Sequence, residues 1–139
     1  MAVIVPELSV TDWRASRAFY TGLLGFSVLY ERPEEGFCYL GREGAELMLD
    51  QIGLGRDFDP GLGEAPRPLG RGVNLQVEVS AIAPLLHALA GAGHPLILPP
   101  EDRWYRRDDE ELGNRQFVVA DPDGYLLRFH EDLGVRKRC

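Results

Sequence analysis

Few side chains in this chain are equipped for chemistry, and most of them fall at every second residue of short apolar stretches. Glu7 lies in VPELSV, Glu46 and Asp50 in AELMLDQ, and Glu78 in VNLQVEV, while Arg128 and His130 share LLRFHE. Alternation of this kind puts one set of side chains on one face of a strand. Four carboxylates sharing a cleft would give it a negative field, speeding the encounter with a cationic molecule and orienting it. Arg128 among them is expected to pair with a carboxylate, since an unpaired buried guanidinium is costly, or else to hold an anionic group of a ligand. Trp104 and Tyr105, in EDRWYRRDDEE, offer flat surfaces on which a heteroaromatic ligand can stack, or a loop aromatic packed on the core or a dimer interface. The candidate ligand contacts are therefore Trp104, Tyr105, Glu7, Glu46, Met48, Asp50, Asn74, Gln76, Glu78 and Arg128.

Those residues need strands to carry them, and the chain supplies two similar sets. Ile4, Pro6, Leu8 and Val10 alternate with Val5, Glu7 and Ser9, and Thr11 then offers an N-cap with Asp12 in the first turn. A helix is expected over residues 12–24, with Ala15, Ala18, Phe19 and Leu23 on its apolar stripe and Gly25 ending it. Trp13 and Tyr20 on that helix read as packing residues. Strands follow over 26–31, 36–41 and 45–51, separated by turn signals at 33–36 and 42–44. The pattern then recurs. Val73, Leu75, Val77 and Val79 alternate with Asn74, Gln76 and Glu78, and Ser80 is placed to cap a helix bearing Ile82, Leu85, Leu86 and Leu89. Residues 95–98 form a short strand, a variable segment reaches Leu112, and a hairpin spans Gln116 to Glu131. Its turn, Asp121-Pro122-Asp123-Gly124, combines a fixed φ at Pro122, a backbone bond from Asp123 and a positive φ at Gly124.

The order is thus βαβββ written twice. The fold class is α+β: two modules, each a curved four-stranded mixed sheet with a helix on its outer face, together forming a cleft. One domain over residues 1–139 is expected, with module one at about 1–52 and a Gly/Pro-rich linker loop at about 53–71 that is able to act as a lid. Module two covers about 72–131, and a basic tail, 132–139, reads as a solvated end. Such sheets leave nine polar positions away from the helices: Glu7, Ser9, Glu46, Asp50, Asn74, Gln76, Glu78, Arg128 and His130. That many across four strands call for a polar cavity or a wet face.

Composition narrows the partners. A net charge of −7 over 139 residues argues against nucleic acid and for neutral or cationic small molecules. No apolar run reaches the roughly 20 residues that span a bilayer, and the first residues show no basic region or cleavage site, so no membrane and a cytoplasmic location are expected. Cys38, in a strand, and Cys139 do not form a disulfide framework, and Cys38 reads as a core filler. The acidic run Asp108 to Glu111 reads as a solvated turn. Of the three histidines, His87 falls in the second helix, His94 just after it and His130 on a strand, which is too scattered for the three or four convergent ligands an ion needs.

VPELSVTDWRASRAFYTGLLGFSVLYER, GAELML and DPDGYLLRF, in this order, resemble the vicinal-oxygen-chelate superfamily of glyoxalase I, extradiol dioxygenases and bleomycin resistance proteins. The resemblance implies paired βαβββ modules, usually in a dimer, and in the enzymes a divalent metal held by His or Glu from the first and last strand of each module. Those positions fall here on Val5, Met48, Asn74 and Arg128. Val5 has no donor, Met48 offers a soft thioether, Arg128 has no lone pair to give, and only Asn74 has a usable oxygen. The chain is in this respect most similar to the metal-free bleomycin resistance proteins. The resemblance implies no cofactor, no catalytic residue and no resident metal, and a homodimer that sequesters a cationic, partly aromatic antibiotic-like ligand without turnover. The alternative is a metal-dependent enzyme of the same superfamily, of glyoxalase or dioxygenase type, with rearranged ligands such as Glu7, Glu46, Glu78 and His130. A third reading is a dimeric module that acts through a protein partner.

Overall fold

A computed structural model describes Ala2, residues 4–54 and residues 73–138. The chain divides into two compact units, Met1–Val73 and Asn74–Cys139. The expected linker and lid at 53–71 lie, from residue 55 on, outside the described residues.

Unit one runs β1 (Glu7–Val10), α1 (Trp13–Gly22), β2 (Ser27–Arg32), a 3-10 turn (Pro33–Glu35), β3 (Phe37–Arg42) and β4 (Ala45–Gln51). Unit two runs β5 (Asn74–Glu78), α2 (Ala83–Gly91), β6 (Leu98–Arg107), β7 (Glu110–Ala120) and β8 (Leu126–Lys137). Each is a four-stranded mixed sheet with one helix, in the orders β1-β4-β3-β2 and β5-β8-β7-β6. The parallel pair in each is the first strand against the last, and the other pairs are antiparallel. The expected α+β architecture of two βαβββ modules is the observed one.

Period-two alternation sorts each sheet into two faces. In unit one, Leu8 and Val10 of β1, Cys38 and Leu40 of β3 and Leu47 and Leu49 of β4 are buried, as are Trp13, Phe19 and Tyr20 of α1. The expected stripe on α1 is displaced: Ala15 and Ala18 are exposed, and Ser16 is buried in their stead. Small alanines contribute little area, so the bulky Trp13 and Tyr20 decide which face turns inward. In unit two, Val77, Val79, Phe117, Val119, Leu127 and Phe129 are buried, together with Ile82 just before α2 and Leu85 and Leu89 within it. The Phe117 and Phe129 rings stack at 5.6 Å.

The helix starts depart from expectation. Asp12, not Thr11, caps α1, its carboxylate accepting from the amides of Arg14 and Ala15 at 3.1 and 3.3 Å. Asp12 is one residue nearer the first helical turn, and its charge suits the helix dipole. Ser80 does not cap α2. That helix begins after Ile82, whose amide donates to Glu131 Oε1 at 3.0 Å, so its cap comes from β8. At the Asp121–Gly124 turn the carboxylate of Asp121 bonds the backbone. It is 4% exposed and accepts from the amides of Asp123 and Tyr125.

The largest difference lies in what reads as a variable segment and a basic tail. Residues 98–107 and 110–120 form a long hairpin, and β8 continues through Lys137, so residues 132–137 are strand, while Val135 to Arg138 are exposed as a solvated end would be. The hairpin is held by opposite charges placed across it. Arg115 faces Asp102 in register and grips its carboxylate with two bonds of 2.8 and 3.0 Å, and on the other side of β7 Arg136 of β8 bonds Glu111 at 3.0 Å. Cross-strand ion pairs stabilise a ladder without leaving an apolar alternation to read. The acidic run supplies both the turn, with Asp108 at φ +56°, and the pairing residues Glu110 and Glu111.

Candidate functional site

The face of each sheet away from its buried side chains carries the candidate ligand residues, and the two faces differ. In unit one β1 and β4 are in parallel register, with Glu7 beside Met48 and Ser9 beside Asp50. β3 sets Tyr39 beside Met48 and Phe37 beside Asp50. Tyr30 of β2 stacks on Tyr39 at 5.0 Å and lies 5.8 Å from Phe37, over which the Arg32 guanidinium sits at 4.0 Å. Glu46 accepts from the Tyr39 hydroxyl at 2.8 Å and from the Ala2 amide at 2.9 Å. The bond from the Ala2 amide, followed by that from Tyr39, holds the Glu46 carboxyl below its ordinary value. Burial, followed by the same bond to Glu46, pushes the Tyr39 hydroxyl up to about 12. Asp50 is buried, Met48 half-buried and Glu7 exposed. A cavity of about 490 Å³ opens at the edge of this unit, with Ser27, Leu29, Arg42 and Glu46 in its lining.

In unit two the same face forms a cavity of about 560 Å³. β5 contributes Gln76 and Glu78, whose register partners on β8 are Arg128 and His130. Asp132 continues the β8 row, and Asn114, Leu112, Tyr105 and Arg107 close it from β7 and β6. Tyr105 is fixed through its hydroxyl, which accepts from Gln116 Nε2 at 2.7 Å, while the same Gln116 nitrogen donates to Glu101 at 3.1 Å. His130 is 7% exposed, with Nε2 at 3.6 Å from Glu78 Oε1. That separation is too long for a proper hydrogen bond. Arg128 Nε, His130 Nδ1 and Gln116 Oε1 are buried and have no hydrogen-bond partner.

Of the ten candidates, Gln76, Glu78, Tyr105 and Arg128 line this one cavity. Asn74 is exposed at the start of β5, and Glu7, Glu46, Met48 and Asp50 belong to the sheet of unit one. Two expectations change. Trp104 and Tyr105 are neighbours on a strand, so they face opposite ways and cannot stack on one ligand. Trp104 packs against Gly113, where an added Cβ would meet its ring at 2.7 Å, and Arg136 lies 4.0 Å above the ring. Arg128 pairs with no carboxylate among the described residues, since its strand neighbours are Gln76 and Val118. Glu78 is the sole member of the expected carboxylate quartet in the cavity, which balances Glu78 and Asp132 against Arg107 and Arg128 instead of presenting a uniformly negative field. Arg107 and Asn114 escape a reading by strand pattern because the charged hairpin hides its own alternation. For Asp132 the signal was present in the row 128, 130, 132.

The donor set does not suit a divalent metal. Among the described residues no three His, Cys, Asp or Glu side chains converge to hold an ion. The family positions carry a valine, a thioether, an amide and a guanidinium, and the last would repel a cation. Burial, above all, raises the Cys38 thiol to about 11, which leaves it an inert core residue rather than a ligand or nucleophile. No helix among the described residues is long and apolar enough to cross a membrane.

Residues 3–129 match the model of the Glyoxalase/Bleomycin resistance protein/Dioxygenase superfamily. Solved structures with a similar fold include TioX from Micromonospora sp. ML1, at 22% identity and a TM-score of 0.69 over 93% of this chain and 98% of that one. Virulence protein STM3117 from Salmonella typhimurium has 23% identity and a TM-score of 0.64, over 94% and 97% of the two chains. Lactoylglutathione lyase from Agrobacterium tumefaciens has 17% identity and a TM-score of 0.59, over 94% of each chain. No curated protein matches the sequence.

Proposed function

This chain belongs to the Glyoxalase/Bleomycin resistance protein/Dioxygenase superfamily, and on that footing we propose that it is a small-molecule binding protein of the bleomycin-resistance type. It sequesters a partly aromatic ligand bearing a cationic group, without turnover, and works as a homodimer in the cytoplasm. The observation that carries this reading is the cavity of unit two, whose about 560 Å³ lies in the range of small-molecule sites. It offers carboxylates at Glu78 and Asp132 to a cation and the ring of Tyr105 to an aromatic group. Catalysis by the metal-dependent members needs an electrophile, and the side chains at the corresponding positions here are poor metal donors.

The test is calorimetric titration of the whole chain with metal-free bleomycin. Saturable binding with no more than one ligand per chain, and the drug recovered intact, supports sequestration. Absence of heat removes the bleomycin-type assignment. Near-stoichiometric zinc, nickel, manganese or iron on protein purified without chelator would favour the enzyme reading instead.

A further inference from the structure

We infer that the cavity of unit two seats an oxyanion on Arg128, so that its ligand carries a carboxylate or phosphate as well as a cation. This rests on the reading that the cavity binds a small molecule, and it narrows the chemistry of that molecule.

Six other arginines of the described chain pair with acids: Arg17 with Glu31, Arg32 with Glu35, Arg42 with Glu43, Arg107 with Glu110, Arg115 with Asp102 and Arg136 with Glu111. Arg128 is half-buried, and among the described residues it has no acid and its Nε, shielded from water, has no acceptor. A buried donor in that state costs the desolvation it cannot recover, and the cost is larger for a charged group. His130 repeats the pattern two residues on, more than nine-tenths buried and with Nδ1 unpartnered. The two side chains rise from the same face of β8, roughly 7 Å apart along the strand. Both line the cavity, so two of the five buried polar atoms without partners among the described residues belong to its lining side chains.

A guanidinium offers a planar fork of donors that matches carboxylate and phosphate, which is why an unpaired one beside a cavity selects an oxyanion over a neutral acceptor. The carboxylates stand on the flanking strand and further along the row. Glu78 is 69% exposed at its side chain, and Asp132 already accepts from the Gly134 amide at 2.7 Å. An anion at Arg128 and a cation at Glu78 therefore fit one molecule carrying both charges.

A matched set of phenyl probes separates the possibilities: phenethylamine for the cation, 3-phenylpropionate and phenyl phosphate for the two oxyanions, and phenylalanine for both charges. Binding is read by NMR on the full chain, following the amides of Gln76, Glu78, Arg128 and His130 and the Arg128 Nε–H. Phenylalanine and at least one oxyanion are expected to move the Nε–H signal, and the tighter oxyanion identifies the source. Arg128→Gln should weaken oxyanion binding roughly ten- to a hundredfold and, by removing a like charge, hold or tighten phenethylamine binding. Arg128→Lys, which keeps the charge but not the fork, should fall between and guards against a folding defect in the first variant. Phenethylamine binding as well as phenylalanine, with a still Nε–H signal, overturns the oxyanion seat and leaves a cation-binding cavity intact. If no probe moves any cavity resonance, both the seat and the binding reading fail.

Discussion

The two sheets share strand order and helix placement, yet they dispose of their polar faces in opposite ways. In unit one the face is occupied by its own side chains: Tyr30, Phe37 and Tyr39 lie ring against ring, Arg32 covers them, and Glu46 is held by Tyr39 and Ala2. In unit two the corresponding face stays hollow, with Arg128 Nε and His130 Nδ1 in its lining side chains lacking partners among the described residues. A repeated architecture thus fixes where a site can be, while a few side chains decide whether it is filled from within or left for a ligand.

The comparison can be pressed hardest through the cores that both faces share. Phe129 and Leu49 are fully buried on the last strands of their units. Phe129→Ala should destabilise by about 3–5 kcal/mol and Leu49→Ala by about 2–5 kcal/mol in urea denaturation, and much smaller losses would mean that these strands are not the framework of the sites. Gly113→Ala tests the sidedness of β6. Its new Cβ would collide with the Trp104 ring and with Leu133 Cβ at 2.9 Å, so a cost of about 1–3 kcal/mol is expected, with a shifted Trp emission. A neutral outcome would place Trp104 elsewhere. Glu131→Ala removes the acceptor at the start of α2 and should cost about 1 kcal/mol, as caps generally do.

The smallest effect concerns the filled face. Because the folded-state value of Glu46 is depressed, its stabilising contribution is present above the ordinary glutamate range and is lost as pH falls through the depressed value. Tyr39→Phe removes one of its donors. The variant should be less stable than the parent near neutrality, with the gap narrowing in acid as the carboxyl protonates. Denaturation midpoints at neutral and acid pH check this, and a gap that widens in acid would contradict it.

Much of this was legible from residue order. β4 was placed at its observed limits, and the alternation of Gln76 with Glu78 and of Arg128 with His130 pointed to one face, because one-sided burial imposes a period of two. The hairpin of β6 and β7 was not legible, since Asp102–Arg115 and Arg107–Glu110 pair by charge and a ladder of charges resembles a solvated loop when read in one dimension. Nor was the isolation of Arg128. Whether a guanidinium meets an acid depends on which strand lies beside it, and here the neighbours are Gln76 and Val118. The capping of α2 by Glu131, 49 positions away, is of the same kind.

The position of the two tryptophans has an optical consequence. Trp13 is 1% exposed at the start of α1, and Trp104 turns its ring away from the cavity beneath Arg136. Each unit thus carries one indole, and neither borders the hollow face. Emission excited beyond the tyrosine band should therefore stay quiet as a ligand fills the cavity, yet change when either unit melts. Replacing one tryptophan at a time by phenylalanine would turn the pair into separate thermometers, one for each half of the chain.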